Sequence, residues 1–238
     1  MNSVNSPDAP EFEQRYSKAI EDFLKAVYAL QRSGERVSTG AMADYLGLKP
    51  PSVTDMARRL QASGLVNYRK HRGVTLTTEG EAEALKIIRR HRLIELYLAE
   101  ELGYAPYEVH DEAERLEHAV SERFVEEIAR KLGDPTIDPH GDPIPDSDGT
   151  IIDLDLSPLA ALPANATGTV ARLDTKDHAM HRHILERGLH LDTRIKVIRR
   201  DPFDGPITVL VDGEERVIGS KAAGYVLVDV AREDEKEL

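Results

Sequence analysis

Apolar positions recur at helical spacing from Tyr16 to Arg32, where Ile20, Phe23, Leu24, Val27, Tyr28 and Leu30 fall on one stripe, and Ser33-Gly34 ends the pattern. Ser38 or Thr39 can cap a second helix that carries Met42, Ala43, Tyr45 and Leu46 and stops at Gly47. After the turn Lys49-Pro50-Pro51-Ser52, a third helix from Ser52 to Ala62 places Val53, Met56, Ala57 and Leu60 on one side, with Pro51 where a first turn tolerates proline. The period then changes to two. Leu65 to Tyr68 and Val74 to Thr77 alternate as short strands around the basic tip Arg69-Lys70-His71-Arg72-Gly73. Thr78 caps a long helix over 79–102, and helical spacing resumes over 108–132. Residues 133–149 are dense in Gly, Pro and Asp and read as a loop and domain boundary. Beyond them, Thr167–Leu173, Arg194–Arg200, Ile207–Asp212, Glu215–Ser220 and Tyr225–Val230 are short β-prone runs, interrupted by one helix over Thr175–Arg187. Five short strands in so little chain predict a small barrel.

The order of elements predicts an α+β protein with four parts: a disordered tail over 1–14, a winged helix-turn-helix over 15–78, a helical domain over 79–147 and a strand-rich domain over 148–238.

Charge sharpens this picture. The chain carries a formal net charge of -12, so as a whole it is not drawn to nucleic acid or to an anionic membrane. Between positions 49 and 72, however, Lys49, Arg58, Arg59, Arg69, Lys70 and Arg72 are opposed by Asp55 alone. A locally basic face on an acidic protein is suited to phosphate neutralisation. The absence of cysteine excludes zinc ribbons, iron–sulfur clusters and thiol catalysis. No apolar run approaches the ~20 residues of a membrane span, and the polar, proline-containing start is unlike a signal peptide, so a cytoplasmic location without membrane contact is expected. There is no glycine-rich phosphate loop, no GxSxG elbow and no HExxH helix, and a non-enzyme is expected.

The densest chemistry is His110-Asp111-Glu112-Ala113-Glu114-Arg115-Leu116-Glu117-His118. On a helix, His110, Glu114, Glu117 and His118 stand at i, i+4, i+7 and i+8 and share one face. Just upstream, His91 and Glu95 are one turn apart. Two helices that each bear imidazole and carboxylate can chelate a divalent cation. The oxygen-rich set favours manganese or iron(II) over copper or zinc. The bland alternative is a pair of solvated acidic faces on a winged-helix protein that needs no metal; a metallohydrolase built on His91, Glu95 and His118 is the enzymatic one. His178, His181, His183 and His190 read either as exposed polar residues or, with Asp177, as the source of a further ligand.

Several stretches together carry a resemblance: Glu21-Asp22-Phe23-Leu24 with Val27-Tyr28, Pro51-Ser52-Val53-Thr54 leading to Gly64-Leu65-Val66, Arg90-His91-Arg92-Leu93-Ile94-Glu95, Val109 to Glu114 with Glu117-His118, and Gly141-Asp142-Pro143-Ile144-Pro145. From about residue 15 to 230 the chain resembles the diphtheria toxin repressor family, and within it the manganese transport regulators. The resemblance implies a homodimeric, metal-responsive transcriptional regulator that binds a double-stranded DNA operator and represses metal uptake, with an SH3-like (FeoA-like) C-terminal domain. It implies a first metal site of Asp22, Glu114, Glu117 and His118, and a second of His91, Glu95 and His110 helped by Asp177 and His181. An acid at position 22 and Glu114 in place of sulfur ligands imply Mn2+, with Fe2+ as the alternative. Lys25 stands where the short manganese regulators have a glutamate, so their closely spaced metal pair is not expected. Lys49, Pro51, Ser52, Thr54, Asp55 and Arg59 would face DNA, with Arg69, Lys70 and Arg72 on phosphates.

Overall fold

A computed structural model of the protein describes residues 16–31 and 35–230. The expected tail over 1–14 and the Ser33-Gly34 stop lie outside the described residues. The chain divides into two compact units, one of Met1–Arg90 with Glu117–Glu127 and one of His91–Leu116 with Ile128–Leu238.

In the first unit, α1 (Lys18–Leu30), α2 (Thr39–Leu46) and α3 (Pro50–Ala62) precede the antiparallel pair β1 (Val66–Arg69) and β2 (Gly73–Leu76). Ser38 caps α2 by accepting from the Ala41 amide at 3.0 Å. The apolar stripe of α1 delivers Phe23, Leu24 and Val27 to a core shared with Met42, Val53, Ala57, Leu60, Val66 and Val74. Most of this follows the periodicity. The next helix, α4 (Thr78–Leu102), begins where expected, but its cap is Thr77, whose Oγ1 accepts from the Gly80 amide at 3.0 Å. The start of α4 presses on the backbone just ahead of β1 so closely that a Cβ on Gly80 would lie 1.8 Å from the Leu65 carbonyl oxygen.

The expected continuous helix over 108–132 is two helices, α5 (Val109–Leu116) and α6 (Glu122–Lys131). The break has a local cause. Ser121 Oγ accepts from the Phe124 amide at 3.2 Å and so starts a new helix, leaving Glu117 to Val120 as the turn between. His110, Glu114, Glu117 and His118 therefore do not stand on one continuous helical face.

In the second unit, residues 133–149 form an irregular, partly buried loop. Asp138, His140 and Ile144 are buried, and the segment folds back on itself through a bridge between Ile137 and Pro143. It is laid against the backbone of β4 (Thr167–Leu173): the Leu173 amide donates to the His140 carbonyl at 2.8 Å. Gly141, at φ +86°, would drive a Cβ to 2.0 Å from the Ala171 carbonyl oxygen, so only glycine allows this approach.

A six-stranded antiparallel sheet follows, ordered β3-β8-β4-β5-β6-β7. Besides β4 it holds β3 (Ser157–Pro158), β5 (Arg194–Arg200), β6 (Ile207–Val211), β7 (Glu214–Ile218) and β8 (Val226–Val230). The two-residue β3 was not legible in the alternation. Between β4 and β5 lies α7 (His178–Leu185), shorter than the stretch over 175–187 that its spacing suggests because Asp177 caps it, accepting from the Ala179 and Met180 amides at 2.9 and 3.1 Å. A short α8 (Ser220–Ala223) precedes β8. Val170, Ile184, Leu189, Val197, Val209, Ile218 and Val228 fill the core of this part.

Gly80→Ala should lower folding stability by about 1–3 kcal/mol through overpacking against Leu65, read as an earlier midpoint in urea denaturation. Unchanged stability would show that the contact relaxes freely.

Candidate metal centre and nucleic-acid interface

α1 brings two adjacent carboxylates, Glu21 and Asp22, to a residue nearly one hundred positions later. His118 Nδ1 lies 2.6 Å from Glu21 Oε2, and His118 Nε2 lies 3.0 Å from Asp22 Oδ1 and 3.1 Å from Glu117 Oε1. Glu21 is 5 % exposed and Glu117 is fully buried. Cations offset these acids. Lys25 Nζ is 2.6 Å from Glu117 Oε1, and Arg90 Nη1 is 3.6 Å from Glu21 Oε1 while donating to the Glu117 carbonyl at 2.9 Å. Lys18 lies 3.6 Å from Asp22 Oδ2.

Burial works against a charged His118, but the hydrogen bonds to Asp22, Glu117 and Glu21 outweigh it and raise its pKa to about 10. The imidazolium thus adds its positive charge to those of Lys25, Arg90 and Lys18 against three carboxylates. The residues fit a dication in its place. Neighbouring donors around a six-coordinate ion are about 3 Å apart, as follows from metal–oxygen and metal–nitrogen bonds of about 2.0–2.2 Å, and Asp22 Oδ1 and Glu117 Oε1 meet His118 Nε2 at that spacing. Asp22 Oδ1 is also buried.

The second unit holds a second cluster. His91 Nε2, His110 Nδ1 and Glu95 Oε1 form a triangle with sides of 2.9, 3.0 and 3.1 Å. Glu114 Oε2 approaches the other nitrogen, His91 Nδ1, at 3.9 Å. Burial alone would raise the Glu95 pKa; the charge of His91, hydrogen bonds from His110 and His91, and the charge of His140 hold it well below the usual carboxylate range. Beyond Glu95 stand Asp138 and His140, both buried. Burial and the neighbouring Asp142 and Glu95 push the Asp138 carboxyl well up, against the pull of Arg92 and the Asp142 amide. His181 is 2 % exposed, with its ring 5.2 Å from that of His140; burial, His140 and His178 lower its pKa to about 4.

Of the residues singled out from the sequence, Asp22, Glu117 and His118 come together in the first unit, and His91, Glu95, His110 and Glu114 in the second. His181 lies beside the second cluster, whereas Asp177 is spent on capping α7. Glu21, Asp138 and His140 were missed. Glu21 carried a signal, a carboxylate three residues before Leu24 on a helix face that is otherwise core. Asp138 and His140 were hidden by the Gly- and Pro-rich composition that made their segment look like a linker.

Of the residues expected to face DNA, Lys49, Pro51, Ser52, Asp55 and Arg59 of the α3 region are exposed and Thr54 is half-buried. Arg69, Lys70 and Arg72 are exposed on the wing, and Asp55 lies 3.7 Å from Arg58. Among the described residues no helix is long and apolar enough to cross a membrane.

Known sequences agree in outline. The iron dependent repressor N-terminal DNA binding domain matches residues 15–74, the iron dependent repressor metal binding and dimerisation domain matches 77–146, and the FeoA domain matches 157–230. An HTH-type transcriptional regulator of Methanocaldococcus jannaschii is 39 % identical over 113 residues, covering 47 % of this chain and 90 % of that protein. The iron-dependent repressor IdeR of Mycobacterium leprae is 28 % identical over 214 residues, covering 83 % and 90 %. A solved manganese-dependent transcriptional repressor in complex with manganese superposes with a TM-score of 0.83 at 42 % identity, covering 89 % of this chain and 100 % of that one.

Because the pKa of His118 is raised in the folded chain, its ion pairs contribute fully to stability below the unfolded imidazole value of about 6.5 and are lost as pH rises through about 10. In chelator-treated protein, His118→Gln should therefore cost most in melting temperature below pH 6.5. The gap to the parent chain should narrow as pH climbs. A pH-independent gap would sink this account of His118.

Proposed function

The chain belongs to the iron-dependent repressor family, that of the diphtheria toxin repressor, and on that premise we propose that it is a manganese-responsive repressor of metal-uptake genes, acting as a homodimer on double-stranded operator DNA in the cytoplasm. The proposed role is binding, with no turnover. One observation carries it: Asp22, on the first helix of the DNA-binding domain, stands within 3.0 Å of His118.

The first ion would be held by Asp22, Glu117 and His118. A dication there supplies charge neutralisation. Asp22 ties α1 to the ligands near residue 118, Glu117 and His118 anchor the other side, and Lys25 keeps one Glu117 oxygen in an ion pair. The Lys25 ammonium already fills the place of a second cation beside Glu117, which supports a single ion here. His91, Glu95 and His110 would hold a further ion. His181 is the ligand candidate from the FeoA-like part, because Asp177 is already engaged at the start of α7.

With α1 held, the α3 residues Lys49, Pro51, Ser52, Thr54, Asp55 and Arg59 would meet the major groove, and Arg69, Lys70 and Arg72 would neutralise phosphates. Metal that favours the DNA-competent state must, by linkage, be bound more tightly in the presence of operator. Carboxylate-rich ligands without sulfur favour manganese. Iron(II) is the second reading, supported by the similar preference of that ion and by the iron-dependent mycobacterial relative.

Gel-shift titrations with operator DNA should show manganese tightening binding by about 10- to 100-fold, a range typical of allosteric coupling, and Asp22→Ala should abolish that gain. Retention of metal-dependent affinity in the variant would overturn the switch. Running the same titration with manganese, iron(II) and zinc at matched free concentrations separates the metals, with manganese expected to act at the lowest effective level. Arg72→Ala should weaken binding evenly across sequences and reduce the salt slope by about one; a loss confined to one sequence would place this residue on a base.

A further inference from the structure

The wing is a hairpin of two four-residue strands, β1 and β2. Two strands that short do not hold an orientation by themselves. Their attachments therefore decide where Arg69, Lys70 and Arg72 point, and these attachments lie on both outer edges of the hairpin.

On the β2 edge, Val74 exchanges two backbone hydrogen bonds with Val37, each of 2.9 Å. Two residues further on, the Leu76 amide faces the same way and donates to Gln31 Oε1 at 3.0 Å. On the β1 edge, the Tyr68 amide donates to Gln61 Oε1 at 2.9 Å. Arg36 spans the hairpin, its Nη1 donating to the Asn67 carbonyl at 2.6 Å with the Gly73 carbonyl at 3.4 Å. The fit is close: a Cβ on Gly73, at φ +94°, would lie 2.1 Å from the Val37 carbonyl oxygen.

The two glutamines come from different helices. Gln61 stands in the last turn of α3, the helix proposed to meet the major groove. Gln31 directly follows α1, and its own amide donates to the Val27 carbonyl at 2.8 Å, so its backbone moves with that helix. Asp22 is on the same helix, roughly 14 Å away along an axis that rises 1.5 Å per residue. One edge of the wing is thus hung from α3, and the other from the helix that carries Asp22.

We propose that Gln31 is a positioning residue through which the helix bearing Asp22 sets the wing against α3. Gln31 touches neither ion nor DNA; it acts through the Leu76 amide. An ion moves an equilibrium only by preferring one of its states. Here that state is the placement of α1 in which Asp22 meets Glu117 and His118, and the Gln31 hydrogen bond carries this placement to β2. The basic tip then makes its phosphate contacts in the metal-loaded chain. The inference rests on the metal-controlled DNA binding proposed above and names the wing as the part that the metal controls.

The test compares the full parent chain with Gln31→Met, which keeps the side-chain length but loses the acceptor, and Gln31→Glu, which keeps an oxygen acceptor. The probe is a duplex selected from a random-sequence pool by the manganese-loaded parent chain. DNA affinity is titrated over a series of salt concentrations with manganese(II) and with chelator. Manganese binding to the protein alone is read by electron paramagnetic resonance, and folding by circular dichroism. In the parent chain, manganese should steepen the dependence of log affinity on log salt by about one to three units, since each neutralised phosphate adds about 0.9. Gln31→Met should bind manganese as the parent does and lose the added slope, and Gln31→Glu should regain it. In the parent chain itself, hydrogen exchange at the Leu76 amide should slow by about fivefold or more when manganese binds, the lower end of allosteric coupling; this arm holds even where a variant does not fold. A parent slope that manganese leaves unchanged, a Gln31→Met slope equal to the parent's, no rescue by Gln31→Glu, or an unchanged Leu76 exchange rate overturns the role of Gln31, while metal-dependent affinity still supports the repressor reading. Parent affinity that ignores manganese overturns both.

Discussion

The first unit depends on an electrostatic balance that the polypeptide can meet in more than one way. Glu21, Asp22 and Glu117 converge on His118. Unit charges about 4 Å apart interact by ~4 kcal/mol at the effective dielectric of a protein surface, so three carboxylates cannot be gathered without compensation. Lys25 and Arg90 supply two positive charges from inside, and Lys18 a third from the more exposed edge. The charge at the centre is either the proton that His118 holds up to a pKa of about 10 or, in the proposed function, that of a dication. Proton and metal compete for one nitrogen. A site of this kind reports metal by exchanging one neutraliser for another, with a different reach: the proton satisfies one ring, whereas an ion organises every donor around it.

The second cluster is balanced differently. Two imidazoles meet Oε1 of Glu95 and a third lies toward Oε2, with a fourth behind it at His181. Glu95 is held anionic by these rings, while Asp138 is pushed toward its protonated form by burial and by Asp142 and Glu95. Nitrogen donors in such number would make this the less manganese-specific of the two clusters, since imidazole also suits zinc, iron and nickel. In the proposed function, selectivity for a hard ion would fall to the oxygen-rich set around Asp22. The proposed division of labour is that one cluster discriminates and the other secures.

How much of this the sequence disclosed depends on which physical signal each element carries. The winged helix was legible nearly residue by residue, because its amphipathic stripes, its Pro-containing first turn at α3 and its basic hairpin are local. The strands from β4 onward were legible for the same reason, except β3, two residues whose pairing with β8 is set by tertiary contact. Asp22 could be named only through a resemblance, since no periodicity links position 22 to position 118. Glu21 was lost because a carboxylate beside a core stripe looks like its solvated edge. The loop over 133–149 is more instructive. Gly and Pro marked irregular backbone there, yet Gly141 is glycine because β4 passes 2.0 Å from where its Cβ would be. Close packing and flexibility call for the same residue, and only the neighbour across the gap distinguishes them.

The break between α5 and α6 decides what the acidic run can do. On an unbroken helix, His110, Glu114, Glu117 and His118 would form a single stripe, and one ion could occupy it with no ligand from α1. Ser121 ends that possibility by starting α6 anew, so that Glu117 and His118 lie on a turn. The turn frees their side chains from the helical repeat, and they face α1 while His110 remains with His91 and Glu95. A nine-residue segment thereby serves two clusters instead of one. The acidic chain as a whole repels DNA, and in the proposed function its affinity would come from the few basic positions on α3 and the wing. Those positions are carried by the same unit that Asp22 belongs to. A metal signal read at Asp22 would thus be read inside the unit that carries them, and it would need no separate relay to arrive there.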